Sequence, residues 1–243
     1  MRLRLTISYQ GGSFSGWQSQ ADGRAVQDVL EAAFQKIEGR RVVVHGSGRT
    51  DAGVHALAQC AHADVSGMLA PEAWRRALNA HLPPAVRIMA VRRAAPDFHA
   101  RFDAVGKVYR YLIRTGPVLP PLEVGRAWHV PRDFNPEAFA TAGAMFVGRH
   151  DFAAFAANRG TAVRDTRRTV RRITVTREGA LWKATFEGEG FLYKMVRMMT
   201  GAMVRVAQGR EDADALRVRL NSGGPKWNYV APAEGLYLVR VIY

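Results

Sequence analysis

The chain has 243 residues, 48% of them hydrophobic, enough for one large domain or two small ones with an ample core. Its 35 Lys and Arg against 21 Asp and Glu leave a formal charge of +14, which points to a polyanionic partner. No apolar run approaches a membrane span, and the single Cys60 excludes a disulfide framework, so nucleic acid in a reducing cytoplasm is the expected setting, with no membrane partner.

Met1–Leu5 alternates charge with leucine and lacks the continuous apolar stretch of a secretory signal. Leu3, Leu5, Ile7 and Tyr9 alternate with Arg2, Arg4, Thr6 and Ser8, the period of a half-buried strand. A loop of glycines, aromatics and amides runs from Tyr9 to Gln20. Val26, Val29, Leu30, Ala33, Phe34 and Ile37 then fall at helical spacing, and Gly39 supplies the stop. Val42-Val43-Val44 predicts a strand over 41–45, and 56–65 a second one with weak alternation. Pro71 opens a helix with Trp74, Leu78 and Leu82 on one face; Val86, Ile88 and Val91 mark a further strand. The order β-α-β-β-α-β is that of the split unit in ferredoxin-like sheets.

Beyond residue 104 the order repeats without detectable sequence repetition. Lys107, Tyr109, Tyr111 and Ile113 share one face of a strand, and prolines 117, 120, 121 and 131 mark 115–135 as an inserted loop. Asn135-Pro136-Glu137 reads as the start of a helix with Phe139, Ala142 and Phe146 inward. Strands near 170–177 and 181–187 precede a helix carrying Leu192, Val196, Met199 and Met203. A short helix at 212–221 and a strand from Leu236 to Tyr243 end the chain. The predicted fold is mixed α/β, α+β in arrangement: two ferredoxin-like, RRM-like halves, 1–104 and 105–243, with antiparallel sheets side by side around a central basic cleft.

The stretch Gly46-Ser47-Gly48-Arg49-Thr50-Asp51-Ala52-Gly53-Val54-His55-Ala56 concentrates the chemistry. Its glycines read as a loop that presents a guanidinium and a carboxylate two residues apart. A carboxylate beside a guanidinium stays charged, which suits a nucleophile or an electrostatic stabiliser better than a general acid. The stretch lacks the Gly-Lys-Ser/Thr of a phosphate loop, and Asp51 stands where the dinucleotide fingerprint needs its third glycine. For an arbitrary glycine-rich turn, a capping aspartate and a solvated arginine are the commoner reading. Elsewhere, Tyr109 has the means to stack on a base. Lys194 and Arg197 stand near a helix start, where cations oppose the dipole, and Arg164, Arg167, Arg168, Arg171 and Arg172 form a run suited to phosphates or to a solvated face. These residues indicate an Asp-dependent reaction on a polyanion without naming it. A non-catalytic RNA-binding module and a divalent-ion-dependent phosphate-ester hydrolase stay open as alternatives.

Gly48 to Ala56 resembles the catalytic signature of the tRNA pseudouridine synthase A family. Gly16 to Gln20, Asn79 to Pro83, Phe98 to Phe102, Lys107 to Tyr111, Gly148 to Phe155, Phe191 to Arg197 and Gly235 to Leu238 resemble further family blocks, in family order. Gln10 replaces a frequent Asp and Lys194 a frequent His, departures that bear on loop bonding and on a phosphate contact. The resemblance implies a cytoplasmic homodimer, without cofactor or metal, that isomerises uridine to pseudouridine at positions 38, 39 and 40 of the tRNA anticodon stem–loop after the base has left its stack. It makes Asp51 the catalytic carboxylate, attacking C1′ or working through a glycal. Tyr109 would lie against the uracil, Arg49 would fill the vacated space or hold the flipped nucleotide, and Arg197 would pair with the aspartate. Phe98, His99, Ala100, Arg101 and Phe102, with Phe155 and Arg159, resemble RNA-contacting segments.

Overall fold

The structure, a computed structural model, describes residues 1–158, 160, 165–222 and 225–243. Its first elements are β1 (Arg2–Tyr9), α1 (Val26–Glu38), β2 (Val44–Gly46), β3 (His55–Asp64), α2 (Pro71–His81) and β4 (Val86–Arg93). There follow β5 (Gly106–Thr115), β6 (Trp128–Val130), α3 (Pro136–Met145), β7 (Gly148–Asp151), β8 (Arg167–Glu178) and β9 (Leu181–Gly188). The last are α4 (Met195–Ala207), α5 (Ala213–Ser222) and β10 (Leu236–Ile242). The mixed α/β class read from the patterning is the class observed.

Two compact units divide the chain, Met1–Val105 with Tyr237–Tyr243, and Gly106–Leu236. The patterning places everything beyond 104 in the second half, whereas Tyr237–Tyr243 belongs with the first. The reason is long-range pairing: Tyr237 and Leu238 run parallel to His55 and Ala56 of β3, and the Val105 amide donates to the Ile242 carbonyl at 2.8 Å.

In the first unit β1 pairs antiparallel with β3 on one side and β4 on the other. β2 and β10 share the far edge of β3, β2 along Ala61–Ala63 and β10 along His55–Ala56. Leu3, Leu5, Ile7 and Tyr9 are buried as their alternation requires, with Leu30 and Phe34 of α1 and Trp74 and Leu78 of α2. Each such side chain contributes about 1.5–3 kcal/mol on burial. Helix α1 stops where Gly39 takes φ 70°, as the sequence places it. Strand β3 alternates poorly because both its faces are covered. Ala61 and Ala63 are buried on one, and Cys60 and His62 on the other, where the segment after β4 closes over them: the Ala100 amide donates to His62 Nδ1 at 3.1 Å.

In the second unit the sheet runs β7-β8-β9-β5 in antiparallel order, with β6 parallel to β5 on its other edge. β6 lies inside the stretch read as an inserted loop. It is three residues long, too short for a periodic signal, yet it brings Trp128 edge-on to Tyr111 at 6.0 Å. β7 escapes pattern reading for the same reason. Helix α3 starts as expected, Asn135 Oδ1 accepting from the Ala138 amide at 3.0 Å with Pro136 in the first turn. Helix α4 is buried nearly all round, so its apolar stripe shows only one of its packed faces.

Candidate active site

The loop joining β2 to β3 carries Asp51, and its other residues anchor it into the first unit. The Ser47 amide donates to the Cys60 carbonyl at 2.8 Å and the Ser47 hydroxyl to Gln59 Oε1 at 2.6 Å. The Gln59 amide nitrogen returns a bond to the Gly48 carbonyl at 2.9 Å, so a fully buried amide on β3 holds the loop at two points. Thr50 Oγ1 shares a hydrogen bond with the Tyr9 hydroxyl at 2.8 Å, and its carbonyl accepts from the Trp17 amide at 3.1 Å. Burial pushes the Tyr9 phenol well above its ordinary value, against the hydrogen bonds with Thr50 and Gln59, so it stays a neutral partner at any physiological pH. The loop ends in a tight turn: the Val54 amide donates to the Asp51 carbonyl at 3.1 Å, and Gly53 takes φ 81°. Within this frame Asp51 is half-buried and Arg49 exposed, the Arg49 Nε donating to Gln18 Oε1 at 3.2 Å.

The remaining expected site residues lie in the second unit. Tyr109, on β5 opposite Phe186 of β9, is buried and meets the Phe191 ring edge-on at 5.3 Å. Arg197 stands on the first turn of α4, its Nε donating to the Ala231 carbonyl at 2.8 Å. The Tyr111 hydroxyl donates to the neighbouring Pro232 carbonyl. Burial pushes the Tyr111 phenol up, with the Arg197 guanidinium working the other way. Lys194, just before α4, takes φ 60°, the one non-glycine among the described residues in the left-handed region. Such a backbone costs on the order of 1–2 kcal/mol and marks the turn that delivers Arg197 as held by its surroundings. Among the described residues no group of three or more His, Cys, Asp or Glu is placed to hold a metal ion, and no helix is long and apolar enough to cross a membrane.

The profile of a tRNA pseudouridine synthase family matches residues 5–103 and 142–243. Proteins named tRNA pseudouridine synthase A match along the whole chain. That of Akkermansia muciniphila is 45% identical over 100% of this chain and 95% of its own, that of Methylacidiphilum infernorum 44% over 99% and 94%, and that of Solidesulfovibrio magneticus 46% over 100% and 91%. The chain belongs to the tRNA pseudouridine synthase A family. It is an isomerase. A chain from a solved Cbf5–Nop10–Gar1 complex aligns over 84% of this chain and 44% of its own, with TM-score 0.38 and 13% identity, and at that level decides nothing.

The segment 98–102 of this synthase divides into exposed and enclosed parts. Phe102 is 75% exposed and stacks on His99 at 4.2 Å, with the Arg101 guanidinium 5.7 Å from its ring centre. Phe98 is half-buried under Arg4 and beside Tyr243, whose hydroxyl donates to the Ala100 carbonyl at 2.6 Å. The side chains of Ala100 and Phe155 have no exposed surface, Phe155 being packed between Phe146 and Trp227. Alanine and phenylalanine are common in cores, and within these two segments Ala100 and Phe155 are enclosed. Arg159 and Arg164 lie outside the described residues.

His62 underlies this segment, stacked on His45 at 4.9 Å and edge-on to His99 at 4.7 Å. Burial, then the charges of His45, His99 and Arg2, lower its pKa to about 4, against a smaller opposing pull from Asp64. As pH falls through 6.5 the unfolded chain takes up a proton that folded His62 refuses until about pH 4. Stability is thus lost across that window as pH falls, and the loss levels off below it. Urea midpoints between pH 7 and 4.5 should show a decline in the wild type, on the order of 1 kcal/mol after solvent screening is allowed for. His62→Gln, which still offers the Ala100 amide an oxygen, should flatten most of it; an unchanged slope would mean that His62 is not the group responsible.

Sequence reasoning missed the amides behind Arg49. Gln27 lies on α1 in line with Leu30 and Phe34, an amide set into an otherwise apolar stripe. That misfit was the available signal.

Proposed function

We propose that this chain converts uridine to pseudouridine at positions 38, 39 and 40 of the tRNA anticodon stem–loop, with Asp51 as the reacting carboxylate. The reaction breaks the bond from C1′ to N1, turns the uracil and makes a bond from C1′ to C5. C5 loses its proton, N1 gains one, and the composition of the RNA is unchanged. No electrons are transferred, so the chemistry calls for neither an electron acceptor nor a cofactor. Asp51 either captures the positive charge developing at C1′ or takes part in a glycal route, and it is regenerated at the end.

The observation that carries this reading is the loop itself: it is tied to β1 through Tyr9, to β3 through Gln59 and Cys60 and to the 10–17 loop through Trp17, while Asp51 is half-buried and Arg49 exposed. Rigid support of one carboxylate is what a positioned nucleophile needs. A stem uridine must first leave its stack, at a cost of roughly a few kcal/mol, and Arg49 is the cation available to fill the gap or hold the flipped nucleotide's phosphate. The family resemblance gives Tyr109 the face of the uracil and Arg197 the role of a cation serving the reacting carboxylate. It also supports a cytoplasmic homodimer as the working form.

The test is release of tritium to water from tRNA carrying C5-tritiated uridine, in buffer with a chelator, followed by mapping of pseudouridine along the RNA. Release with modification confined to positions 38–40 is expected. Binding of tRNA without release would favour a non-catalytic RNA-binding module, and release that requires an added divalent ion would contradict the metal-free chemistry.

A further inference from the structure

Arg49 is exposed, and an exposed arginine ordinarily samples many rotamers at little cost. Here its Nε is the end of a chain of side chains that begins in the body of the first unit. Glu31 of α1 accepts the Val44 amide at Oε1, 3.1 Å, and the Gln27 side-chain nitrogen at the same oxygen, 2.8 Å. Gln27, only 9% exposed, in turn accepts at Oε1 from the Ser19 amide at 3.0 Å and from the Gln18 nitrogen at 2.7 Å. That leaves Gln18 Oε1 facing Arg49 Nε at 3.2 Å.

The direction of this chain follows from donor and acceptor inventory. A backbone amide only donates, so Val44 and Ser19 require oxygens opposite them. A carboxylate only accepts, so Gln27 must turn its NH2 toward Glu31 and its oxygen toward the loop. Gln18 must then present nitrogen to Gln27, and only its oxygen remains for the guanidinium. Flipping either amide would set NH2 against NH2 or oxygen against oxygen in a half-buried site, at the cost of an unsatisfied polar group. Backbone bonds hold the same segment, the Gln27 amide to the Trp17 carbonyl at 3.0 Å and the Trp17 amide to the Thr50 carbonyl at 3.1 Å. Arg41 Nη2 stands 3.9 Å from the second oxygen of Glu31, at the outer end.

We propose that Glu31, Gln27 and Gln18 form a one-way relay that positions Arg49 for the flipped nucleotide. Gln18 is the positioning residue in contact with it. The proposal rests on the reading of Arg49 and Asp51 given above. The relay restricts Arg49 before the RNA arrives, so the ordering of a flexible side chain is not charged to the reacting complex.

The experiment measures the single-turnover rate of tritium release and the tRNA Kd for wild type, Arg49→Ala, Gln18→Met and the double variant, with a melting curve for each. Gln18→Met keeps the length of the side chain and removes its hydrogen bonds. Arg49→Ala is expected to slow release about a hundredfold with Kd within about threefold. Gln18→Met alone should slow release about tenfold without moving Kd or the melting temperature, and in the Arg49→Ala background should have less than about a twofold effect. A Gln18→Met rate equal to wild type, or the same fold loss in both backgrounds, overturns the relay while leaving the reading of Arg49 in place. A wild-type enzyme that releases no tritium overturns both.

Discussion

In Asp51→Ala, tritium release from C5-labelled uridine in tRNA is expected to fall by about four orders of magnitude or more, with tRNA affinity within a few-fold of wild type. On the proposed reading Asp51 captures or stabilises the anomeric centre, so its loss removes a transition-state interaction, which lowers turnover and leaves ground-state docking alone. The substitution should also leave the fold standing. Bonds through the Ser47 hydroxyl, the Gly48 carbonyl, the Thr50 hydroxyl and carbonyl and the Asp51 carbonyl hold the loop, and alanine at position 51 retains each of these. Asp51→Asn separates charge from shape, since it keeps volume and hydrogen-bonding reach; it should be as inactive as alanine in a single turnover. Asp51→Glu keeps the charge but moves it outward by one methylene, and a shift of about 1 Å costs on the order of a hundredfold in a positioned group. Release at the wild-type rate in Asp51→Ala would remove this residue from the chemistry.

What the sequence shows of the fold divides by the range of the interaction. Helices α1, α2 and α3 begin where local signals put them and α1 ends at its stop glycine, because a stop glycine, a first-turn proline and an asparagine cap act within a few residues; α2 and α3 end one residue before Leu82 and Phe146, which the periodicity places on their inner faces. Strand β1 is legible because only one of its faces is buried. β3, at His55–Asp64, lies within one residue of the 56–65 that the pattern gives, but its weak alternation has its cause elsewhere: a segment some forty residues later, around Ala100, covers its second face, and no window on β3 contains that information. β6 and β7 are set by their neighbours' ladders and not by their own period. The return of Tyr237–Tyr243 to the first unit is the extreme case, a pairing between chain positions about 180 residues apart.

The site divides in the same way. Asp51 and Arg49 stand out because a charged pair set among glycines is rarely core, and the loop that carries them is where the pattern places it. The residues that hold the loop in place are ordinary when read one at a time. Gln59 reads as a strand amide, Thr50 as a loop hydroxyl and Tyr9 as the last apolar residue of β1, and their shared purpose appears only when β1 and β3 lie side by side. Phe155 and Ala100 mark the opposite case. A block that resembles an RNA-contacting segment contains both the surface and its support, and burial alone tells them apart.

Two adjacent glycines before the Asp51 loop should respond very differently to alanine. A Cβ on Gly11 would stand 2.1 Å from the Val54 carbonyl oxygen and 2.5 Å from its carbon, both backbone atoms that cannot rotate away. Val54 closes the turn begun by Asp51, and the Gly11 amide also donates to Nδ1 of His55 at 3.1 Å. Relieving the overlap therefore means pushing the 53–55 backbone outward, and Asp51 with it. Overpacking of this kind costs about 3 kcal/mol, equivalent to a fall of roughly 6–12 °C in Tm for a chain of this size. The displaced carboxylate should cost release at least about tenfold more than the fraction of unfolded protein accounts for. A Cβ on Gly12 meets no atom within 4 Å, and Gly12→Ala should change Tm by less than about 2 °C and leave release intact. Differential scanning calorimetry with the tritium assay on the two variants decides the matter. Equal behaviour would mean that the 10–17 loop does not press on the Asp51 turn, and the support assigned to that turn would have to come from β1 and β3.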